Sequence, residues 1–270
     1  MEDREIPVLI VGERINSSRK RIAEAIAGRD AAAIREEAQT QASAGADYLD
    51  VNAGVYADRE AECLKWLIET VQDAVDMPLC IDSPRPEVIE TVLPLVKHAP
   101  MLNSVTLEPS RLFPVLALAV DCGGKAIALC QDKGVMATTK EQKVAMAERL
   151  VQESQKAGFD LGNLYIDPLV YPLATNIDSA SATLGAIEEI MTRFPGVHTI
   201  CGLSNVSYGL PKRKLINRTF LVAALNRGLD SVMMDLTDVE LYAALRAGLV
   251  VSGRDEYCLG YIEAYRNNRL

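Results

Sequence analysis

Strand and helix signals alternate eight times along this chain of 270 residues. Short apolar runs predict strands over residues 6–11, 48–51, 78–81, 101–105, 126–129, 164–166, 197–201 and 231–234. Helical spacing follows each run, over residues 31–44, 59–75, 86–97, 110–120, 140–157, 179–193, 215–226 and 239–247, with a last helix near 257–266. Sustained alternation produces a parallel sheet with right-handed crossovers. Eight units favour a single-domain (β/α)8 TIM barrel over residues 1–270, and an open doubly wound sheet is the alternative.

Five of the apolar runs end in a carboxylate or an amide. These polar residues are Asp50, Asn52, Asp82, Asn103, Asp167 and Asn205. In a TIM barrel the carboxyl ends of the strands carry the active site. The alternative for any single residue is a helix cap or a turn former, since Asp and Asn favour both. A carboxylate can accept two parallel hydrogen bonds from the edge of a heterocycle such as a pterin, so the set predicts a pocket for a flat, nitrogen-rich ligand.

Composition excludes several other classes of function. The net charge of -9 argues against nucleic acids and anionic membranes as partners. No apolar run approaches the ~20 residues that span a bilayer, and the first residues lack signal-peptide features, so we expect a cytoplasmic protein. The six cysteines include no CxxC pair and are expected to be small buried hydrophobes. With only His98 and His198 present, we expect neither a histidine zinc site nor a Ser-His-Asp triad, and no bound metal.

Several motifs together resemble those of the methyltetrahydrofolate:corrinoid methyltransferases, which are pterin-binding barrels similar to the folate-binding module of cobalamin-dependent methionine synthase. The motifs are Val11-Gly12-Glu13-Arg14-Ile15-Asn16, Leu49-Asp50-Val51-Asn52, Cys80-Ile81-Asp82-Ser83, Asn103-Ser104, Leu164-Tyr165-Ile166-Asp167-Pro168-Leu169, Gly202-Leu203-Ser204-Asn205-Val206-Ser207 and Leu215-Ile216-Asn217-Arg218-Thr219-Phe220. The last two are the most specific. The resemblance covers nearly the whole chain, from Val11 to the last helices.

The resemblance implies a role for each matching residue. Asp82, Asn103 and Asp167 would hold the pterin ring of tetrahydrofolate. The pocket would be lined by Asp50, Asn52, Glu13, Gly202 and Ser204. Asn205 would contact N5, the nitrogen that carries the methyl group, and Arg213 would meet the carboxylates of the folate tail.

The implied reaction moves a methyl group between N5 of 5-methyltetrahydrofolate and the cobalt of a corrinoid, in a direction that the sequence does not give. An amide does not titrate usefully, so Asn205 would act by a hydrogen bond that strengthens as N5 changes charge. The chain has no Asp-x-His-x-x-Gly corrinoid motif. The corrinoid is therefore expected on a separate protein that docks at the barrel mouth, and the family also implies a homodimer.

Alternatives stay open at several positions. Glu13 could pair with Arg14 or another cation, and Ser204 and Ser207 could cap the next helix. The run 212–214 could be merely solvated, and the loop 135–139 could close over the site. The rival functions are a dihydropteroate synthase-like pterin enzyme and a non-catalytic folate-binding protein. The neutral amide at Asn205 suits methyl transfer better than the loss of a diphosphate.

Overall fold

The computed structural model describes residues 7–270 and confirms the predicted barrel. Its strands are β1 (Leu9–Asn16), β2 (Tyr48–Asn52), β3 (Leu79–Asp82), β4 (Met101–Val105), β5 (Lys125–Leu129), β6 (Gln131–Asp132), β7 (Val135–Met136), β8 (Leu164–Asp167), β9 (His198–Thr199) and β10 (Ser231–Met234). Its helices are α1 (Lys20–Gly28), α2 (Ala31–Ser43), α3 (Glu60–Gln72), α4 (Pro86–Val92), α5 (Pro109–Asp121), α6 (Lys140–Lys156), α7 (Ser179–Arg193), α8 (Arg213–Leu225), α9 (Val239–Val251) and α10 (Leu259–Arg266).

Eight parallel strands form the sheet, in the order β10-β1-β2-β3-β4-β5-β8-β9. The two ends of this sheet meet where Gly202 forms a bridge with Met233, and the Met233 N–H donates to the Cys201 carbonyl at 3.0 Å. This short contact closes the barrel. Among residues 7–270, no helix is long and apolar enough to cross a membrane.

Side-chain alternation along the strands separates two apolar layers. Leu49, Leu79, Ile81 and Leu102 pack outward in the main core against the helices. The residues between them fill the inside of the barrel with a ring, formed by Val11, Tyr48, Cys80, Met101, Ile127, Tyr165 and Ile200. Because alternate strand residues share a face, the next inward positions lie one step above this ring. Asp50, Asp82, Asn103 and Asp167 occupy four of those positions.

The first strand differs from its predicted limits. It was predicted over 6–11, of which residue 6 lies outside the described residues, and it continues to Asn16. Pairing explains the extension: the strand runs beside β10 up to Gly12, then shifts register and pairs Ile15 and Asn16 with β2. Glu13 and Arg14 are therefore strand residues. Helix α1 was also not predicted. Its N-cap position is Arg19, which provides no side-chain cap, and no acidic residue occupies its first turn.

Three other predictions had wrong limits. The helix predicted over 86–97 ends at Val92 and continues as a short 3₁₀ helix, Leu93–Leu95, which contains Pro94. The strand predicted over 197–201 is reduced to β9, and Asn205 lies on a 3₁₀ helix, Leu203–Ser207, instead of a strand end. Residues of the predicted loop 135–139 belong partly to a hairpin of β6 and β7.

The cysteine prediction is confirmed for most positions. Cys63, Cys80, Cys130 and Cys201 are buried, Cys122 and Cys258 are partly exposed, and all six are free thiols. His98 and His198 instead pair with carboxylates, at 2.6 Å from Asp76 and Asp230.

Candidate active site

One rung of the sheet brings three predicted site residues side by side. Asn52 on β2 lies in register with Asp82 on β3, and Asp82 lies in register with Asn103 on β4. Asp167 ends β8, further around the same rim. Asn52, Asp82 and Asn103 therefore share the inward face of neighbouring strands, and Asp167 lies on the same rim.

Asp82 is held by its neighbour on β2. The Asn52 Nδ2 donates to Asp82 Oδ2 at 3.0 Å. Burial raises the pKa of Asp82 to about 6, while the Asn52 hydrogen bond and the charge of Arg111 oppose the rise. Arg111 is itself fixed, because it donates to the Ser104 carbonyl and hydroxyl at 2.8 and 2.9 Å. Asp82 is thus largely ionised at neutral pH.

Asn52 has less freedom to bind a ligand than we expected. Besides its contact with Asp82, its Oδ1 accepts from the Ser17 hydroxyl at 2.8 Å and from the Gly54 N–H at 3.0 Å. The bond to Gly54 is an Asx turn, so the alternative of a turn former is partly correct here. The amide orients Asp82 and shapes the pocket wall.

Asn103 is the amide that remains more available. Its Nδ2 lies 3.9 Å from the Met233 sulfur, which is a weak acceptor, and its side chain also interacts weakly with Asp50. Met233 belongs to β10, so this contact crosses the barrel interior. An amide with such a weak partner can reorient to serve a ligand that presents both donors and acceptors.

Asp167 is buried and receives backbone hydrogen bonds. The Leu169 N–H donates to its Oδ1 at 2.7 Å, from a residue with a left-handed backbone at φ 59°. Burial raises the pKa of Asp167 to about 6, and the Leu169 N–H, the charge of Lys143 and the Gly202 N–H all oppose the rise. Two backbone amides and one cation therefore favour the carboxylate form.

Asp50 is the most isolated carboxyl group of the site. It is 1% exposed, and neither of its oxygens has a well-formed hydrogen-bond partner. Burial and then the charge of Asp82 raise its pKa well above the ordinary value, and Cys80 and Asn103 offset the rise only in part. A buried acid with only weak partners therefore lies at the floor of the rim, beside Asp82.

Glu13 joins an ion-pair network at the edge of the mouth. Arg19 Nη2 donates to Glu13 Oε1 at 3.1 Å, and Arg19 also lies 3.7 Å from Asp235. Arg14 instead binds Glu37 at 2.5 Å and Asp235 at 2.9 Å. Glu13 thus pairs with a barrel-mouth cation other than Arg14. Burial raises its pKa despite Arg19.

Asn205 lies on the opposite side of the rim from Asp82. Its side chain is exposed, and its Nδ2 lies 3.5 Å from the place that a Cβ on Gly202 would take. Gly202 also bridges to β10, as described above. The Asn205 amide therefore lies against the Gly202 backbone at the seam of the barrel.

Ser204 and Ser207 do not cap helix α8, whose N-terminal cap position is Lys212. The Ser204 carbonyl accepts from Arg213 Nη2 at 2.6 Å, and the Ser207 hydroxyl accepts from Arg213 Nε at 3.1 Å. Arg213 begins α8 and lies over the Tyr208 ring at 5.6 Å, so it braces the loop that carries Asn205. Its charge also lowers the pKa of Glu13, which places it near the mouth.

Sequence reasoning missed two cations near the site. Arg111 lies in the first turn of α5 and binds back to Ser104 on β4, and Lys143 is fully buried in the first turn of α6. Neither position has a sequence signal for burial, because Lys and Arg normally occupy the outer face of a helix. Lys143 lies among polar neighbours within an otherwise ordinary amphipathic helix.

Comparison with known proteins agrees with this geometry. Residues 12–235 match the family model described as pterin binding enzyme, and the chain belongs to this family. A methylcorrinoid:tetrahydrofolate methyltransferase of Eubacterium limosum is 37% identical over 265 residues, covering 97% of this chain and 98% of its own. The predicted resemblance to the corrinoid methyltransferases is therefore confirmed.

Other relatives support the same placement. Methionine synthase of Mycobacterium tuberculosis is 30% identical over 245 residues, which are 86% of this chain and 21% of that protein. Among solved structures, dihydropteroate synthase of Coxiella burnetii with pteroic acid superposes with a TM-score of 0.69 at 17% identity, covering 91% of this chain and 94% of that one. The dihydropteroate synthase of Thermus thermophilus gives 0.65 at 22% identity, covering 90% and 92%. At these identities the similarity supports the fold alone.

Proposed function

We propose that this protein is a methyltransferase that moves a methyl group between a methylcorrinoid and N5 of tetrahydrofolate. The observation that carries the proposal is the end-to-end similarity to an enzyme named for that reaction. Its name makes the methylcorrinoid the donor, and we propose the same direction here. In that direction N5 attacks the methyl carbon, the cobalt–carbon electron pair stays on cobalt, and N5 loses its proton.

The pterin would be held by the carboxylates of Asp82 and Asp167 and the amide of Asn103. A reduced pterin presents ring N–H and amino donors along one edge, and two ionised carboxylates are strong acceptors for such donors. The pKa of about 6 for both carboxyl groups leaves them ionised at neutral pH. Asn103, whose contact with the Met233 sulfur is weak, would hydrogen-bond to an edge of the ring that carries both donors and acceptors.

Asn205 would face N5 from the other side of the rim. An amide neither gives nor takes a proton, so it contributes only if its hydrogen bond is stronger in the transition state than in the bound substrate. The N5 proton would pass to solvent through a hydrogen-bonded network at the barrel mouth. Asp50, whose raised pKa favours the neutral acid, would offer the ligand a hydrogen-bond donor instead of a proton acceptor.

The remaining residues have more peripheral roles in this proposal. Asn52 holds Asp82 in place, while Gly202 and Ser204 shape the backbone beside the pterin. Glu13 would line the outer pocket. Arg213 stays our candidate for the folate tail carboxylates, because it is exposed near the mouth.

A corrinoid protein would dock over the barrel mouth. Exposed apolar side chains occur on the segments that follow the strands at this end, namely Val55, Val135, Met136, Ile177 and Tyr208. Scattered apolar groups on an acidic protein surface suit a transient complex more than a permanent one. We also propose a cytoplasmic location, which the composition of the chain predicted, and a homodimer, which the family resemblance implies.

The test is methyl transfer with free corrinoids. The purified protein is mixed with tetrahydrofolate and methylcobalamin, and separately with methyltetrahydrofolate and cob(I)alamin, while the corrinoid absorption spectrum is recorded. We expect conversion in both directions, with the methylated folate identified by mass spectrometry. Tight folate binding without conversion would support a carrier instead, and condensation of a pterin diphosphate with 4-aminobenzoate would support a synthase.

A further inference from the structure

We propose that Lys143 is a positioning residue for the Asp167 carboxylate, an inference that rests on the proposed folate site. Lys143 lies in the first turn of α6, outside the set of residues that the motifs suggest. Its side chain is 0% exposed. It contacts the loop that follows β8 through its ammonium group.

The ammonium group is bound to three carbonyl oxygens. Lys143 Nζ donates to Pro168 at 2.7 Å, to Leu169 at 2.5 Å and to Ala137 at 3.1 Å. It also lies 4.7 Å from the centre of the Tyr171 ring. Three donors thus meet three acceptors, so the hydrogen-bonding capacity of the ammonium is met inside the protein.

Two of these acceptors set the geometry of Asp167. Leu169 has a left-handed backbone, which a leucine adopts only when its surroundings enforce it. Lys143 holds its carbonyl, and the N–H of the same residue donates to Asp167 Oδ1 at 2.7 Å. The chain of contacts therefore runs from the ammonium through one residue of backbone to the carboxylate.

The position is a poor one for a lysine unless it has such a task. A cation near a helix N-terminus opposes the helix dipole, and burial of the charge is costly. Within the described part of the chain, Lys143 forms no salt bridge with a carboxylate at the usual contact distance. Burial lowers the pKa of Lys143, and the charge of Asp167 opposes this shift, while Lys143 in turn lowers the pKa of Asp167.

The other titratable groups around the pair are Cys130, Cys201 and Tyr171. Burial raises the pKa of each of them, so all three are neutral at working pH. Lys143 and Asp167 are therefore the two charges of this cluster. Removal of the cation should make Asp167 harder to ionise as well as less well placed.

The experiment compares Lys143→Met with Lys140→Met, a matched control three residues earlier on the same helix. Lys140 is partly exposed and pairs with Glu189. Folate affinity is measured by calorimetry from pH 5 to 8.5, and turnover at saturating folate is measured with methylcobalamin. For Lys143→Met we expect about a 10-fold weaker Kd for folate at pH 7, with turnover within ~3-fold of wild type. The pH at which folate affinity is lost on acidification should be higher by about one unit.

A second variant separates charge from hydrogen bonding. Lys143→Gln keeps amide donors for the carbonyls, so it should retain folate affinity at pH 8.5. Because the charge is gone, its affinity should be lost at the same raised pH as in Lys143→Met. Equal affinity and equal pH profiles for the Lys143 variants and Lys140→Met would overturn the proposal. So would failure of both Lys143 variants to fold while the control folds, since Lys143 would then serve stability alone. Absence of folate binding in the wild type would instead refute the proposed function.

Discussion

The Asp167→Asn substitution should make the ligand-free protein more stable while it weakens folate binding. In the folded protein burial raises the pKa of Asp167 from its ordinary 3.8 to about 6. The ionised carboxylate therefore destabilises the fold above pH 6. Below pH 3.8 the group is neutral in both the folded and the unfolded state, and this cost is absent. Stability that the protonated acid provides is lost as the pH rises from about 4 to 6.

The size of the effect follows from the pKa difference. A difference of about 2 pH units at ~1.4 kcal/mol per unit gives an upper limit of about 3 kcal/mol. The attraction between Asp167 and Lys143 is lost in the variant, so we expect a gain of about 2 kcal/mol at pH 7.5. For a barrel of this size that corresponds to a melting temperature roughly 4–8 °C higher. The amide that replaces the carboxylate can still accept from the Leu169 N–H.

The assay is thermal and urea unfolding at pH 7.5 and at pH 4.5, without folate. Asp58→Asn is the control, because Asp58 is an exposed carboxylate. We expect the gain of Asp167→Asn to be largest at pH 7.5 and to shrink toward pH 4.5. Loss of one charged hydrogen bond should weaken folate binding by ~1.5–3 kcal/mol. A variant that is less stable than wild type at pH 7.5 would refute the reasoning, because burial would then not be the dominant cost.

Three further predictions concern the rest of the site. Asn205→Ala should raise the barrier to methyl transfer by ~2–3 kcal/mol in single-turnover spectra while the folate Kd changes little; a weaker Kd with unchanged turnover would contradict its role. Folate affinity in the wild type, followed by calorimetry, should fall as the pH drops through about 6, where Asp82 and Asp167 become protonated, and a decline only near pH 4 would refute their raised pKa values. Arg14→Gln should destabilise the protein by ~2–3 kcal/mol in urea unfolding, because it leaves the 5%-exposed Glu37 unpaired. An unchanged urea midpoint would contradict this, since it would mean that water solvates the Glu37 carboxylate in the variant.

The barrel and its polar rim were predictable because their signals are local and periodic. A run such as 79–82 alternates outward and inward residues, so the position of Asp82 above Cys80 follows from strand geometry alone. The residues at which the strands begin and end were less predictable, because they depend on the neighbouring strands that pair with them. β1 extends past Gly12 only because β2 takes over from β10, and no property of the segment itself predicts that change.

The roles of individual polar side chains were less predictable, because they depend on contacts between distant segments. Asn52 and Asn103 look alike in sequence, yet Asn52 is saturated by Ser17, Gly54 and Asp82, whereas Asn103 has only weak contacts with the Met233 sulfur and Asp50. Lys143 has the sequence pattern of an ordinary surface residue of an amphipathic helix. Its burial depends on the carbonyls of a loop 25 residues away along the chain.

The two sides of the pocket stand on parts of the barrel that differ in the extent of strand pairing. The neighbouring strands from β10 through β1 to β8 are joined by runs of paired residues, whereas the last junction has one bridge, between Gly202 and Met233. A fluctuation that parts this seam costs few hydrogen bonds and displaces Asn205, which follows the bridge closely along the chain. Asp82 and Asn103 stand on the continuous part of the sheet and stay where they are. In the proposed site, the end that would meet the migrating methyl group therefore has less strand pairing to hold it than the end that would bind the ring.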